Sequence, residues 1–428
     1  MNAIAPMPDS LFALTLALLL LAPLAIAGLA LVNAGLGRSR AAAQSLLGSL
    51  GIVAVAAIVY AVVGAAFASS PGGASHSFHL AGKSWSWLGA GPWLLGGFDS
   101  AAPRAQLMLL FEFLAVAMAA LIPWGSGAER LRLVVGGAVA ALLAALFFPL
   151  AAHWIWGGGW LAQLGVNFGL GAGFLDGGGA ATVHLLGGLS ALAVVWIAGA
   201  RRGKFPKEGL ATAMPGHNTV AVLFGCLLAL VGWMAWNVAG AILWLHAPAS
   251  ALASTALNTL LSASMAIIAA FTVTRLRFGK PDTSICANGW MAGLVASSAG
   301  AGLISPTAAL LVGLMAGLAT PLLVELLELA LSIDDPSGAI AVHAGGGAWG
   351  IVAVGIFAPQ AGQLLAQLVG LAALLGLALP LIYLLFWLLS RVLPFAASDE
   401  AERLGMDLQE LGSSAYPEFV IHRDESRR

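Results

Sequence analysis

The sequence predicts an all-α polytopic membrane protein, and three observations lead to that fold class. Hydrophobic residues make up 60% of the 428 positions and charged residues only 9%, a balance that soluble globular domains do not have. The mean hydropathy is +0.95, and the apolar residues are grouped in runs of membrane-spanning length. Fifty-four glycines fit this fold, because small residues let helix backbones approach closely in lipid. A net charge of −1 gives no indication of nucleic-acid binding.

Eleven apolar runs are long enough to cross a bilayer, which takes about 20 residues. No lysine or arginine precedes the first run, so we predict a retained span and not a cleaved signal peptide. The predicted eleven transmembrane helices cover approximately residues 10–33, 42–68, 105–126, 131–152, 179–199, 218–245, 250–274, 285–304, 306–330, 338–358 and 363–394.

Basic residues predict the orientation of these spans. All lysines and arginines except Lys83 and Arg104 lie in the first, third, fifth and seventh connections or near the C-terminal end. Lysine and arginine concentrate on the cytoplasmic side of a membrane. We therefore expect the N-terminus outside and the C-terminus inside, with loops 70–104 and 153–178 forming an outer vestibule.

A short internal repeat predicts how the helices are organised. The segments "DGGGAATVHLLGG" and "DPSGAIAVHAGGG" each place an aspartate eight residues before a histidine, at Asp176 and His184 and at Asp335 and His343. The first segment enters its helix from outside and the second from inside. This predicts a 5+5 inverted-topology repeat, a design that places the substrate path at the interface between the repeats.

The predicted domain organisation follows from the spans and the repeat. A transmembrane domain covers residues 1–396, with repeat halves at about 10–199 and 218–358 and a last helix at about 363–394. The polar segment 397–428 is predicted to be a cytoplasmic C-terminal tail. The protein is expected to be a multi-pass protein of the plasma (inner) membrane.

The two histidines, His184 and His343, are the strongest candidate functional residues. An ionisable side chain inside a membrane helix is costly and usually faces a cavity or a partner. Neutral imidazole has one donor and one acceptor nitrogen, so two adjacent rings can share one N–H and still offer a donor and an acceptor. Such a pair suits a small neutral polar molecule or a travelling proton. The alternative is two separately satisfied core histidines.

The sequence resembles the ammonium transporter family (Amt/Mep/Rh), as a divergent Amt-type member, from about residue 14 to Tyr416. The resemblance implies eleven helices, a homotrimer, one narrow pore in each protomer and twin histidines in that pore. It is carried by the motifs "GAERLRL", "AHWIWGGG", "LDGGGAATVH", "HNTVAVLFGCLLALVGWMAWN", "ANGWMAGLV", "IDDPSGAIAVHAGGGAWGIVAVGIFA" and "GMDLQELGSSAY".

The resemblance assigns roles to individual residues. His184 and His343 correspond to the twin histidines, which would line the pore and relay protons. Trp156, Phe111 and Asp176 correspond to an outer site that recruits ammonium. A cation is attracted to an aromatic face, and a carboxylate adds negative field. The alternatives are a membrane-interface tryptophan at position 156 and a helix cap at position 176.

Some pore positions depart from the family pattern. Ala115 stands where an outer gate phenylalanine is usual, Gly240 replaces a serine, and Asn288 is at a position that is often serine. Trp236 stands at the second gate phenylalanine. The expected gate and pore-lining residues are Trp236, Ala115, Asn237, Asn288 and Gly240.

The tail keeps the family's spacing of Gly405, Asp407, Gly412 and Tyr416. The resemblance implies that this regulatory tail packs on the cytoplasmic face, couples protomers and engages a PII-type signalling protein. The alternative is an ordered surface tail without a regulatory role.

These features predict transport of ammonium, and of methylammonium, by recruitment, deprotonation and passage of neutral ammonia, with a separate proton relay as a further step. Two alternatives remain: an ammonium-binding sensor with little or no transport, and an Rh-like passive ammonia channel. We expect no enzyme activity, no cofactor and no metal site. His76 and His79 have metal-like spacing, but a zinc site needs at least a third close ligand.

Overall fold

The computed structural model describes residues 7–69 and 73–417 of the chain. Residues 70–72 of the predicted outer loop and residues 418–428 of the predicted tail lie outside the described residues. Within the described residues, long apolar helices make up most of the structure, which confirms the predicted helical membrane fold.

Ten helices in the described part of the chain are long and apolar enough to cross a membrane, and each overlaps one predicted run. An additional shorter helix of 15 residues, α8, lies between the seventh and ninth. In chain order the helices are α1 (Asp9–Leu36), α2 (Ser39–Ala68), α3 (Pro103–Ser126), α4 (Leu133–Ile155), α5 (Ala180–Ala198), α6 (Thr219–Leu243), α7 (Ala249–Phe278), α8 (Thr283–Ser297), α9 (Pro306–Ala330), α10 (Ile340–Phe357) and α11 (Gln363–Leu389).

Helix starts and bends follow from particular side chains. Asn218, Asp282 and Ser305 each accept a hydrogen bond from a backbone N–H in the first turn of α6, α8 and α9, which satisfies a donor that the helix itself leaves unpaired. Helix α1 is interrupted at Ala22, because Pro23 cannot donate a backbone hydrogen bond.

Helix α8 is shorter than the predicted span 285–304. It ends at Ser297, and the following residues form turns. The carbonyls of Ser298 and Ala299 accept hydrogen bonds from Gly178 and Gly177 instead of continuing the helix. A helix of 15 residues is about 22 Å long, less than the hydrocarbon thickness of about 30 Å. The count of eleven spans therefore remains a prediction.

The two halves of the chain pack in corresponding ways. Helix α2 packs on α4 as α7 packs on α9, and α3 packs on α5 as α8 packs on α10. Helices α5 and α10 cross with opposite chain directions: Gly188 lies against Ala344, whereas Gly347 lies against Ala180 and Leu185. Residue numbers rise along one helix as they fall along the other, as the predicted inverted repeat requires.

Both crossing helices begin with a wide π-helical turn that contains the histidine. In each case an aspartate precedes the turn and caps it. Asp176 accepts hydrogen bonds from two backbone amides of the first turn of α5, and Asp335 accepts one from the first turn of α10. The eight-residue interval between aspartate and histidine thus has a structural reason. The aspartate caps the start of the helix, and the histidine lies one to two turns after that start.

The charged connections converge at one end of the helix bundle. Glu129 accepts hydrogen bonds from Arg201, at 2.8 Å, and from Arg38. Asp334 binds both Arg201, at 2.9 Å, and the backbone N–H of that residue, and Arg130 donates to the Asp334 carbonyl. Four connections predicted to share one membrane face therefore meet there. Which side of the membrane this face occupies remains a prediction.

The opposite end carries a small antiparallel hairpin of strands β1 (Ser75–Leu80) and β2 (Lys83–Gly89). This hairpin lies in the predicted outer loop and departs from a purely helical fold. His153, near the end of α4, connects it to the bundle through the Ser86 hydroxyl, at 2.9 Å, and the Ala68 carbonyl, at 2.8 Å. His153 is therefore a structural residue.

Candidate functional site

The two predicted histidines meet at the crossing of α5 and α10. The Nδ1 atoms of His184 and His343 are 3.2 Å apart, and their ring centroids are 5.2 Å apart. Both side chains are buried, with 0% and 1% exposure. The contact is a hydrogen bond in which one ring donates and the other accepts. The Nε2 atom of His184 has no partner among the described residues.

Glycines close to the histidines let α5 and α10 approach closely enough for the two rings to touch. A Cβ at Gly188 would lie 2.3 Å from the Ala344 nitrogen, and a Cβ at Gly347 would lie 2.6 Å from the Ala180 carbonyl oxygen. No side chain fits at either glycine without moving backbone. Each repeated segment, Val-His followed after two intervening residues by Gly-Gly, therefore combines the buried histidine with the close packing that brings its helix to the other.

Trp233 of α6 lies on His184, with ring centroids 5.0 Å apart and planes 17° from parallel. Its indole Nε1 donates to the Ser298 hydroxyl at 2.9 Å, which fixes the ring. The sequence prediction missed Trp233. A signal was present, since Trp233 precedes the predicted gate residue Trp236 by three positions and residues so spaced share a helix face.

A small cavity of about 10 Å³ adjoins His343 on the side of the charged connections, a volume comparable to one water molecule. Its lining includes Asn33, Asn288 and Ser337. The Oδ1 atom of Asn288 has no partner among the described residues. Asn288, a predicted pore residue, therefore lies beside the second histidine with an unused acceptor.

Towards the hairpin end of the molecule, the predicted aromatic residues form one cluster. Phe111 lies 4.2 Å from Trp236 and edge-on to Trp156 at 5.4 Å, measured between ring centroids. Trp156 donates its indole N–H to the Asp176 carbonyl at 2.6 Å. A fourth ring, Trp244, lies parallel to Trp156 at 5.0 Å. The sequence prediction did not include Trp244, because a tryptophan near a membrane helix end is ordinarily an interface residue.

Asp176 uses its two carboxylate oxygens differently. Oδ2 accepts hydrogen bonds from the Ala181 N–H and from both the N–H and the hydroxyl of Thr182, all at 2.9–3.0 Å. Oδ1 is buried and has no partner among the described residues. The helix-cap role is therefore present in the structure, and it uses only one of the two carboxylate oxygens.

Three other predicted lining residues lie in different settings. Ala115 is fully buried one helical turn from Phe111. Asn237 donates to the Thr259 and Ser297 hydroxyls, so it joins α6 to α7 and α8. Gly240 packs against the backbone, since a Cβ there would lie 2.1 Å from the Gly177 carbonyl oxygen. Asn237 and Gly240 thus serve helix packing in the structure, and their role in lining a pore stays a prediction.

The predicted tail residues contact the charged end of the bundle. Asp407 accepts hydrogen bonds from the backbone N–H groups of Ala43 and Gln44, at 3.2 and 2.8 Å, and so caps the start of α2. The hydroxyl of Tyr416 lies 3.0 Å from His217 Nε2. The tail therefore binds helix starts from both repeat halves.

Two tail glycines allow this path. Gly405 has a φ of +101° and lies directly against Arg40, and Gly412 has a φ of +71° after a short π-helical turn. A third contact was not predicted: Glu410 accepts hydrogen bonds from Leu133 N–H and Arg132, and so caps α4.

Comparison with known proteins assigns the family. The model of the Ammonium Transporter Family matches residues 11–416. The chain is 34% identical over 422 residues to the ammonium transporter Amt2 of Archaeoglobus fulgidus, covering 93% of this chain and 86% of that protein. It is 29% identical over 407 residues to an ammonium transporter of Bacillus subtilis, covering 92% and 95% of the two chains.

Solved structures agree with this assignment. A protein described as "Sensor Amt Protein" has a TM-score of 0.84 at 25% identity, covering 93% of this chain and 97% of that one. The crystal structure of Candida albicans Mep2 has a TM-score of 0.77 at 22% identity, covering 95% and 90%. With its apolar helices, its buried histidine pair and a family match across nearly its whole length, the chain belongs to the ammonium transporter family, a family of transporters and not of enzymes, and is a multi-pass protein of the cell membrane.

Proposed function

We propose that this protein moves ammonium nitrogen across the membrane as neutral ammonia, with methylammonium as a second substrate. The observation that supports this most directly is the 3.2 Å contact between the Nδ1 atoms of two fully buried histidines. Two neutral rings in that arrangement offer hydrogen bonds to a small polar molecule but no compensating charge to a cation.

The cost of burying charge favours deprotonation before passage. Transfer of an unpaired ion into a low-dielectric interior costs tens of kcal/mol in idealised terms. An ammonium ion avoids this cost by releasing a proton, which potassium cannot do. In the described part of the chain, the rings stacked with His184 are Trp233 and His343, and neither carries a negative charge that would stabilise a cation.

The outer aromatic cluster and Asp176 are the proposed recruitment site. Cation–π contacts are worth roughly 0.5–2 kcal/mol each, and Trp156 and Phe111 lie next to each other there. Asp176 contributes its negative charge through the unpartnered Oδ1. We propose that ammonium binds beside these groups and releases its proton there.

The histidine pair also supports a separate path for the proton. A hydrogen-bonded pair of imidazoles accepts a proton at one free nitrogen and releases another from the opposite nitrogen. His184 Nε2 has no protein partner, and His343 adjoins the cavity with Asn288. If the proton follows this path, each transported nitrogen carries one net charge.

Currents from protein reconstituted in liposomes test the proposal. We expect ammonium and methylammonium gradients to produce current and a potassium gradient to produce none. His184→Ala and His343→Ala each remove the shared hydrogen bond, so both should abolish the ammonium current. His79→Ala changes a histidine in the exposed hairpin and should leave the current unchanged. Undiminished current in both pore variants would contradict the relay.

A sensor function is the second candidate. It is favoured by the covered face of Trp156 and by the likeness to the protein described as a sensor Amt protein. A sensor would bind methylammonium without producing current. An Rh-like passive channel would instead change the pH inside the liposomes by ammonia flux, again without current.

We further propose a homotrimer with its N-terminus outside and its C-terminus inside the cell. One exposed face of α6 is apolar, with Val220 at 76% and Leu227 at 60% exposure, which suits contact with lipid or another protomer. Native mass spectrometry in detergent measures the subunit number, and labelling of single cysteines in the hairpin and the tail measures the orientation.

The tail is the proposed regulatory element and the docking region for a PII-type protein. Its support is the set of hydrogen bonds that join Asp407 to α2 and Glu410 to α4. Binding of a purified PII protein to liposomes that carry the full-length chain, compared with a chain ending at residue 396, measures this interaction.

A further inference from the structure

Trp244 occupies the position that the proposed recruitment site needs for a cation. It lies at the C-terminal end of α6, and its ring is parallel to Trp156 within 10° at a centroid distance of 5.0 Å. A cation attracted to an aromatic ring sits over the ring face, within about 6 Å of the centroid. The Trp244 ring fills that space.

The remaining surroundings of Trp156 are closed. Phe111 and Phe148 approach it edge-on, with centroids at 5.4 and 6.2 Å. Only 4% of the Trp156 surface is exposed. Among the described residues, Trp244 covers one face of the buried Trp156 ring, so an ammonium ion that binds on this face competes with Trp244 for the same place.

Trp244 differs from the neighbouring tryptophans in how it is held. The indole nitrogens of Trp156, Trp233 and Trp236 each donate a hydrogen bond, to Asp176, Ser298 and Gly178 respectively. The buried Nε1 of Trp244 has no acceptor among the described residues. Its displacement therefore breaks the stack on Trp156 and an edge contact with Phe111, at a centroid distance of 5.9 Å, but no indole hydrogen bond.

The backbone beneath Trp244 is nevertheless fixed. Arg104 donates to the carbonyls of Ile242 and Leu243, at 3.1 and 2.8 Å, and lies 2.7 Å from His246 Nδ1. A guanidinium at this place satisfies carbonyls that the end of α6 leaves unpaired. Arg104 therefore fixes the backbone at the end of α6, whereas the indole ring of Trp244 is held by no hydrogen bond among the described residues.

We propose that Trp244 is a lid on the outer site, which must leave the face of Trp156 before a cation binds there. The inference rests on the proposed recruitment of ammonium at Trp156. Each binding event then replaces one ring stack by a cation contact, so the lid weakens the apparent affinity. It also determines specificity, because the space for an alkylammonium is the space that the ring vacates.

Binding of radiolabelled methylammonium to the purified full-length protein, measured by scintillation proximity, tests the lid without requiring transport. Trp244→Ala should lower the half-saturating concentration by roughly threefold to tenfold, the range of one aromatic stack. Trp244→Phe should give a smaller decrease. Arg104→Gln, which loosens the turn, should act in the same direction and serves if Trp244→Ala does not fold. Trp93→Ala, an exposed tryptophan near the hairpin, is the matched control and should have no effect.

A second substitution identifies the surface that Trp244 covers. In the background of Trp156→Ala, removal of Trp244 should no longer improve binding, because the competing face is gone. Unchanged or weaker binding by both Trp244→Ala and Trp244→Phe overturns the lid. The liposome currents distinguish this proposal from the proposed transport. An ammonium current without tighter binding by Trp244→Ala would support transport and contradict the lid. Tighter binding by Trp244→Ala without an ammonium current would support the lid and contradict transport.

Discussion

At the scale of single residues, Asp176 combines a structural and an electrostatic task. Its Oδ2 caps α5, while the buried Oδ1 has no partner among the described residues. A carboxylate at a helix start is stabilised by the positive end of the helix dipole. The charge that we propose to attract a cation is therefore held in place by the helix that carries His184.

Asparagine and alanine at this position should separate the two tasks. Asp176→Asn keeps an oxygen that caps the helix but removes the charge, so it should preserve the melting temperature and weaken methylammonium binding. Asp176→Ala also removes the cap and should cost about 1 kcal/mol of stability in addition. Thermal unfolding in detergent and the radioligand assay measure both effects. Equal binding by wild type and Asp176→Asn would show that the charge does not recruit the cation.

Functional residues can be predicted from the sequence when their type is unusual for their surroundings. A histidine inside an apolar helix, repeated with its preceding aspartate, is costly enough to require an explanation, and both histidines meet as expected. Trp233 and Trp244 were not predicted, because tryptophan is an ordinary residue of membrane helices and their ends. Their importance lies in what they stack on, and those partners are distant in the chain.

At the scale of elements, the crossing of α5 and α10 depends on glycine. Gly188→Ala would place a Cβ 2.3 Å from the Ala344 backbone and push the helices apart. We expect a loss of about 1–3 kcal/mol of stability, typical of overpacking, together with loss of the ammonium current as the Nδ1 atoms separate.

Gly51→Ala is the control for this change. Gly51 lies on α2 with nothing within 4 Å of an added Cβ, so melting temperature and current should stay at wild-type values. A Gly188→Ala protein with normal current would mean that the histidine contact tolerates a wider crossing than the backbone geometry indicates.

Helix α8 illustrates where prediction of elements reached its limit. Its apolar sequence continues beyond Ser297, and composition alone therefore extends the helix. The carbonyls of Ser298 and Ala299 instead bind the segment before α5, more than a hundred positions away. The hydrogen bonds that Asp407 and Glu410 accept from the starts of α2 and α4 join residues that are even farther apart in the sequence, and a local pattern contains no information about them.

At the scale of the whole molecule, the ionic cluster at one end joins four connections. Burial raises the pKa of Asp334, but its hydrogen bonds and ion pairs with Arg201, together with the charge of Arg130, more than offset this and hold the pKa below its ordinary value. A carboxyl with a lowered pKa in the folded state stabilises the fold only while it is ionised.

The stability of the protein should therefore decrease in acid. The contribution of Asp334 is fully present above the ordinary aspartate pKa of about 4, and it is lost as the pH falls through the lower folded-state value. Asp334→Asn should lower the melting temperature at pH 7 and flatten its dependence on pH below about 4. Asp99→Asn, in the outer loop, is the control. An equally steep acid response in Asp334→Asn would assign the effect to other carboxyls.

The histidine pair at the centre of the molecule is asymmetric, although the two repeated segments that carry it are alike in sequence. A hydrogen bond between two like nitrogens contains a single hydrogen, so the neutral rings of His184 and His343 are opposite tautomers at any instant. The pseudo-twofold relation between the halves is broken there by one atom. In the proposed relay, passage of a proton converts each ring to the other tautomer, so the two Nδ1 atoms exchange their donor and acceptor roles. Reorientation of the rings or passage of a second proton in the opposite direction returns the pair to its first state. In the proposed relay, the position of one hydrogen therefore sets the direction in which the pair can next pass a proton, and each passage changes it.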